Sequence, residues 1–396
     1  MTADSYEKTL KLAVEALELP DSAYEKAVSR YKDLGEWFGR PESSIDVNDP
    51  HVFAQGSFAL GTAIRPLLEG ERYDLDLACK LRQGVSMATH SQYDLKLMVG
   101  KELEGYREAR QISAPLEEKH RCWRLEYQDG MSFHMDVVPC IPVDSGQRQM
   151  LNAELENRGM DRFLAKAIAD DSVNITDDRA PNYKVKDLNW QLSNPEGYIE
   201  WFKSKQKSES SAGVVVARSQ VDEMPLYRRK TNLQRCIQLL KRHRDIMFKE
   251  DPDSKPISII ITTLAARGYL GGPSIASAME QILQSFNQFC ASDSNEVLNP
   301  ANPQENFADR WGTPEGQRLR LKQNFHTWVR QANIDIPRLA DLVNSTNLAE
   351  LLEDKLGVRM SASTLESKVG LAIAAAPIQA PHVHIPQDSP RPWGTE

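Results

Sequence analysis

Three aspartates carry the most specific chemistry in this sequence. Asp74 and Asp76 lie in the run Tyr73-Asp74-Leu75-Asp76-Leu77. Its alternation reads as a β-strand with both carboxylates on one face, Cα atoms roughly 6.5 Å apart, and the leucines turned to a core. Like charges that close raise each other's pKa, so a site that keeps both ionised calls for a divalent cation between them. Mg2+ suits hard oxygen ligands and completes its shell with substrate phosphates, and Mn2+ can substitute for it. A second strand-like run, residues 133–139, turns Phe133, Met135 and Val137 to one side and Asp136 to the other. Three carboxylates on two neighbouring strands can hold two metal ions about 3.5–4 Å apart, an arrangement suited to in-line phosphoryl or nucleotidyl displacement. His134 shares the face of Asp136, either touching a ligand or serving as a polar neighbour.

Just before the first pair, Gln55-Gly56-Ser57 reads as a phosphate cradle. Gly56 allows close backbone approach, Ser57 is a good helix N-cap, and the turn it opens would aim free N–H groups at an anion. Basic residues concentrate further on. Between 203 and 249 there are twelve Lys and Arg against four acids, a local excess that suits triphosphates inside an otherwise acidic protein.

The elements that must position these groups follow from periodicity. Residues 5–17 and 22–38 are spaced as two helices interrupted at Pro20, leading into the core. A short strand at 52–55, a helical turn at 57–64 and the metal-bearing strand at 73–81 come next. An amphipathic helix spans 92–107, and two strands at 122–127 and 132–138 join through Asp129-Gly130, a hairpin signal. After Pro142 polar loops carry two short helices, at 161–169 and 196–205, and the Ser- and Lys-rich run 203–220 reads as a loop near the site entrance. Helices at 231–248 and from Ser258, then at 275–291, 314–332 and 347–356, make an all-helical half; between them, 299–311 reads as a Pro-punctuated turn anchored by buried Phe307 and Trp311. From about Ala372 an Ala-, Pro- and Gln-rich stretch reads as a flexible tail. The expectation is an α+β, bilobed fold: a mixed β-sheet catalytic lobe with an α-helical second lobe. Its boundaries fall at 1–45 (bracing helices), 46–225 (catalytic lobe), 226–370 (helical lobe) and 371–396 (tail).

The Gly-Ser turn, Gly61-Thr62-Ala63-Ile64-Arg65-Pro66, the Asp-x-Asp strand and the later single Asp together resemble the cGAS/DncV-like nucleotidyltransferases (CD-NTases) of the polymerase β-like superfamily. The resemblance covers most of residues 1–355. It implies a nucleotidyltransferase that joins nucleoside triphosphates into a cyclic oligonucleotide and releases pyrophosphate, with two Mg2+ ions held by Asp74, Asp76 and Asp136. It also implies nucleotide binding by Gln55, Gly56 and Ser57, by Lys241 on the 231–248 helix and by Ser258 at the start of the next, although Arg242 and Arg244 leave the register open. ATP is the expected substrate, with GTP or a pyrimidine triphosphate as alternatives. Family likeness further implies bacterial anti-phage signalling (CBASS), a separate effector responding to the product, and a ubiquitin-transfer-like regulator acting at the tail. Two other readings use the same residues: an enzyme that extends RNA ends without a template, or an inactive scaffold of the same fold.

Composition narrows these. The 396 residues exceed one typical domain, and 40% hydrophobic content fills real cores. A net charge of −8 argues against strong nucleic-acid binding, which needs a basic surface. Five scattered cysteines with no Cys-x-x-Cys pair, and no apolar run long enough to span a bilayer, point to a cytoplasmic protein without a membrane segment.

Overall fold

In the computed structural model, residues 2–67, 72–128, 133–206, 230–342 and 344–372 are described. Two helices open the chain, α1 (Ala3–Leu17) and α2 (Asp21–Phe38), broken at Leu19-Pro20 where proline cannot continue a helix. The break sends them to different places. Leu10, Val14 and Leu17 of α1 enter one hydrophobic core, while Tyr24, Tyr31, Leu34 and Phe38 of α2 enter another.

The second of these cores belongs to a mixed sheet. After β1 (Pro50–Ala54) come a four-residue helix, α3 (Gly56–Ala59), and β2 (Tyr73–Leu81). The helical turn expected over 57–64 ends at Ala59, because Gly61 takes a positive φ of 65° and 62–66 is irregular. Helix α4 (Gln92–Ala109), started by a reciprocal Ser91–Asp94 capping box, lays Leu95, Val99, Leu103 and Tyr106 on the sheet. Strands β3 (Glu117–Glu118), β4 (Trp123–Tyr127) and β5 (Phe133–Pro142) follow. Strand order is β1-β2-β5-β4-β3, with β2 and β5 parallel and the other pairs antiparallel. The Asp129-Gly130 turn lies outside the described residues; the pairing it would close, Tyr127 with Phe133, is present.

After Pro142 the chain is more regular than its polar composition suggests. Helix α5 (Ser145–Asn157), capped by Asp144 and Gln147, precedes α6 (Arg162–Asp170). Strands β6 (Val173–Ile175) and β7 (Gln191–Ser193) then extend the sheet from the far end of β5. Sequence periodicity misses α5 because only Leu151 and Leu155 are buried on it. Helix α7 (Pro195–Gln206) takes up the first part of the run expected to be a loop; residues 207–220 of that run lie outside the described residues. Although they sit within 46–225, α5, α6 and α7 turn Leu151, Leu155, Ile168, Trp201 and Phe202 into the helical core, not the sheet's.

That helical core is built by α8 (Asn232–Met247), α9 (Ser258–Gly268) and α10 (Ile275–Ala291). The segment expected as a turn around Asn299 is a short hairpin, β8 (Leu298–Asn299) with β9 (Asn302–Asn306); Trp311 beyond it is buried and Phe307 only half-buried. The single helix expected over 314–332 is two, α11 (Pro314–Arg318) and α12 (Leu321–Asp341). The break falls where Arg320 takes a left-handed φ of 54°. Helices α13 (Ser345–Leu356) and α14 (Ala362–Val369) close the described chain; of the tail, residues 373–396 lie outside it. No helix among the described residues is long and apolar enough to cross a membrane.

The exposed edge of the sheet, β1, is covered by α2: the buried Tyr31 hydroxyl donates to the Val52 carbonyl at 3.0 Å. Tyr31→Phe should strand that acceptor and cost about 0.5–1.5 kcal/mol, lowering the denaturation midpoint; an unchanged midpoint would show that water replaces the hydroxyl.

Candidate active site

The parallel register of β2 and β5 sets Asp76 opposite Asp136 and Asp74 opposite His134. Alternation on β5 buries Phe133, Met135 and Val137, so Asp136 rises on the same face as the β2 pair. Asp74 is the outermost, with 69% of its side chain exposed. Asp76 lies deeper, and burial, then the charges of Asp74 and Asp136, push its pKa up to about 7. Burial also raises Asp74.

One strand further, β4 aligns Arg124 with Asp136. Its guanidinium donates from Nε and Nη2 to the two Asp136 oxygens, both at 2.7 Å. Sequence reading overlooked Arg124, although its place in the alternation of β4, antiparallel to β5, marks it. His134 is a neighbour of the cluster: its Nδ1 is 3.6 Å from Asp74, and its Nε2 accepts from Arg72 at 2.9 Å. Burial and the adjacent Arg124 lower its pKa, which keeps the ring neutral.

The Gly56 turn stands directly against these carboxylates. Gly56 has φ +62°, and a Cβ built there would meet Asp76 Oδ2 at 2.1 Å, so only glycine leaves that oxygen accessible. Ser57 is not the cap expected of it; Gln55 holds the cap position and Ser57 lies in the first turn. With four residues α3 contributes little dipole, and what a helix start offers an anion is the N–H groups of its first turn. The Gln55 side chain is tied back, donating to the Leu77 carbonyl at 3.2 Å.

The opposite wall comes from α8 and α9. Lys241 is buried and donates to the Thr62 carbonyl at 3.0 Å; burial, then Arg244, lower its pKa to about 8, while Asp76 and Asp74 oppose the shift. Arg242 points elsewhere, donating to the Arg65 carbonyl. Arg244 donates to Ser258 Oγ and the Pro256 carbonyl, each at 2.9 Å, and pairs with Asp245. Ser258 is the first residue of α9, whose cap position is Ile257. The open register thus resolves to Lys241 and Arg244 in the cleft, with Ser258 beside them. Together these walls enclose a cleft of about 1120 Å³ lined by Gly56, Ser57, Asp74, Asp76, Arg124, His134, Lys241, Arg244, Lys255 and Ser258 among others. That volume exceeds the ~300–1,000 Å³ of most single-ligand sites.

Among the described residues no three His, Cys, Asp or Glu side chains converge closely enough to ring a metal ion. The three aspartates are adjacent in register, but Asp136 has both oxygens committed to Arg124. Asp74 and Asp76 still fit a divalent cation: they are hard oxygen donors on one face, both stay raised despite the nearby Arg124, and Gly56 leaves room at Asp76.

Comparison with known proteins places this architecture. Residues 50–140 match the family model of the cyclic GMP-AMP synthase DncV-like nucleotidyltransferase domain. The chain is 30% identical over 311 residues to a c-di-GMP synthase of Roseivirga ehrenbergii, covering 77% of this chain and 73% of that protein. It is 24% identical over 382 residues to the cyclic dinucleotide synthase CdnG of Bradyrhizobium diazoefficiens, covering 90% and 82%. The structure of the Bradyrhizobium diazoefficiens CD-NTase CdnG in complex with GTP superposes with a TM-score of 0.60 at 19% identity, over 92% of this chain and 97% of that one.

The raised pKa of Asp76 makes a sign-definite prediction for the metal-free protein. A carboxyl whose folded pKa lies above its unfolded value stabilises below the unfolded value, and that contribution is lost as pH rises through the folded pKa. Without divalent cations, the melting temperature of the wild type should therefore fall relative to Asp76→Asn between about pH 4 and pH 7 and stay below it at pH 8. Parallel melting curves across that range would show that Asp76 is not strained by its neighbours.

Proposed function

This chain belongs to the cGAS/DncV-like nucleotidyltransferases, and from that premise we propose that it joins two guanine nucleotides, supplied as GTP, into a cyclic dinucleotide. Cyclic oligonucleotide synthesis from nucleoside triphosphates with release of pyrophosphate is the activity of the family. Guanine is supported by the relatives: one is a c-di-GMP synthase and another was solved with GTP, whereas sequence alone put ATP first. The observation that carries the reading is the facing of Asp74 and Asp76 on β2 by Lys241 and Arg244 of α8 across one cleft.

In each of two rounds a ribose hydroxyl oxygen bonds to an α-phosphorus, the bond from that phosphorus to the pyrophosphate oxygen breaks, and the hydroxyl proton is released. Asp74 and Asp76 would hold Mg2+ or Mn2+, and Asp136 would join them by giving up a contact to Arg124; when bound, such ions neutralise phosphate charge and lower the acceptor hydroxyl's pKa. Lys241 and Arg244 supply fixed positive charge for the triphosphate, one as a compact ammonium and the other as an oriented guanidinium. Gly56 lets the backbone of its turn approach the same phosphates. The neutral His134 and Arg72 line the outer rim beside Asp74. The setting that membership supports is anti-phage signalling, with the product sensed by a separate effector and the tail read by a ubiquitin-transfer-like regulator.

Two measurements test this. Replacing Asp74 and Asp76 together by Asn should abolish phosphatase-resistant cyclic product, read by mass spectrometry, while melting no lower than wild type in metal-free buffer. Continued turnover by the double variant would remove the aspartates from the chemistry, and label moving only onto added RNA would favour end-extension. Lys241→Ala should raise the KM for GTP about 10- to 100-fold, the scale of a lost contact to a charged group. Arg242→Ala, which loses a carbonyl contact and does not itself line the cleft, should instead lower thermal stability and shift KM less than about 3-fold; equal KM effects would refute the assignment of Lys241 to the triphosphate.

A further inference from the structure

Beyond Asp76 and Gly56 the main cleft continues into a side pocket of about 280 Å³. Its walls mix apolar side chains, Leu60, Ile199, Ile259 and Phe307, with polar ones, Ser193 and Asn194, and Tyr198 stands edge-on to Phe307 at 6.0 Å. Across it stands Glu305 of β9, which also borders a neighbouring cavity lined by Arg121; among the described residues the carboxylate makes no ion pair with arginine or lysine. Asn299 donates to its Oε2 at 2.7 Å, and the other oxygen takes no hydrogen bond among the described residues. Burial raises the Glu305 pKa, as befits an acceptor short of donors.

The carboxylate is held in place with care. Asn299 is itself fixed by accepting from the Ala301 N–H at 2.8 Å. The hairpin that carries both is tied to the sheet side by Asn194, which donates to the Ala301 carbonyl at 3.1 Å, and by Asn302, which donates to the Leu192 carbonyl at 3.1 Å. A carboxylate without a cation beside it repels the phosphates. It can only accept hydrogen bonds, so it suits a ligand edge that presents donors.

We propose that this pocket receives the base of a guanine nucleotide, and that Glu305 is a specificity-determining residue accepting from guanine N1–H and the 2-amino group. The proposal rests on the guanine reading above and deepens it. Among the common bases only guanine sets two donors side by side. Adenine and cytosine place an acceptor next to their amino group, and uracil flanks its N–H with carbonyls, so each would turn a lone pair toward the carboxylate. Apolar side chains to pack against and a fixed acceptor at one side suit a purine base.

Inosine triphosphate lacks only the 2-amino group and isolates the contact. In the wild type, kcat/KM should favour GTP over inosine triphosphate by about 10- to 100-fold, the scale of one hydrogen bond to a charged group. In Glu305→Gln, whose carboxamide keeps shape and turns one acceptor into a donor, that ratio should fall below about 3-fold. Equilibrium dialysis of GTP and inosine triphosphate gives the same ratio without turnover. It therefore decides the role of Glu305 even if the wild type forms no cyclic product, a result that would count against the proposed reaction instead. A wild type that binds both nucleotides equally, or a Glu305→Gln variant with undiminished selectivity, overturns the proposal. Glu305→Asp, which withdraws the carboxylate by one methylene, should lower the ratio as well and guards against a folding defect confined to Gln.

Discussion

The structure turns on one ladder of hydrogen bonds between halves of the chain that are distant in sequence. Along one face of α8, Gln234 donates to the Leu60 carbonyl, Gln238 to Ala63, Lys241 to Thr62 and Arg242 to Arg65. Those four residues recur at i, i+4, i+7 and i+8, the spacing of one helix face. The segment they grip is irregular and joins no sheet, so its carbonyls have neither helix nor ladder to satisfy them. Leaving such a group unmatched costs about 1–3 kcal/mol, so the long polar side chains of α8 are demanded by the backbone opposite. On the other side of the same helix, His243 accepts from the Trp328 N–H at 3.1 Å and bonds Asp335, fixing α8 to α12. The wall that faces the aspartates is therefore locked to both cores.

This ladder explains the electrostatics of the cleft. Lys241 cannot leave, because its ammonium satisfies Thr62, and Asp76 cannot move out from under the Gly56 turn. Both are pushed toward their neutral forms in the unliganded protein, Lys241 down to about 8 and Asp76 up to about 7. Burial is the first cause of each shift, and the opposite charges nearby offset it only in part; a triphosphate with divalent cations would supply both signs at once. Arg124 acts differently, since it already neutralises Asp136 through a bidentate contact. The three aspartates are thus unequal: two face the cleft uncompensated and the third is paired.

Much of this was legible in the chain. The period-2 alternation around Asp74, Asp76 and Asp136 fixed their common face, since a strand slipped by one residue would have buried all three. Pro20 marked the division between α1 and α2, and the apolar spacing of α4, α8 and α10 located those helices within a few residues. What escaped did so for physical reasons. Helix α5 buries too few residues to show a stripe, the helix at Leu321 is separated from its predecessor by a left-handed arginine that no propensity marks, and Ser57 lost the cap to Gln55 because Gly56 already bends the chain. Lys241, Arg242 and Arg244 are equivalent by composition; only the carbonyls they meet distinguish them.

The base pocket was illegible for a stronger reason. Its carboxylate lies in Asn302-Pro303-Gln304-Glu305-Asn306, which has neither hydrophobic alternation nor a motif, and its partners come from α3, β2, α7 and α9. Nothing local says that Glu305 will stand near Asp76, some 230 residues earlier in the chain. The link is made by Asn194, which spends both amide hydrogens on the carbonyls of Ile168 and Ala301 and its oxygen on the Gly197 N–H. Gly197 is obliged to be glycine there, because a Cβ would sit 2.4 Å from the Asn194 oxygen. A side chain fully used in this way has no freedom to accommodate alternatives, so the hairpin carrying Glu305 has one position relative to the sheet. The reacting groups can be read from a strand pattern because strands repeat. The group that would choose the base depends on a single knot of hydrogen bonds among three separate segments, and only the folded chain ties it.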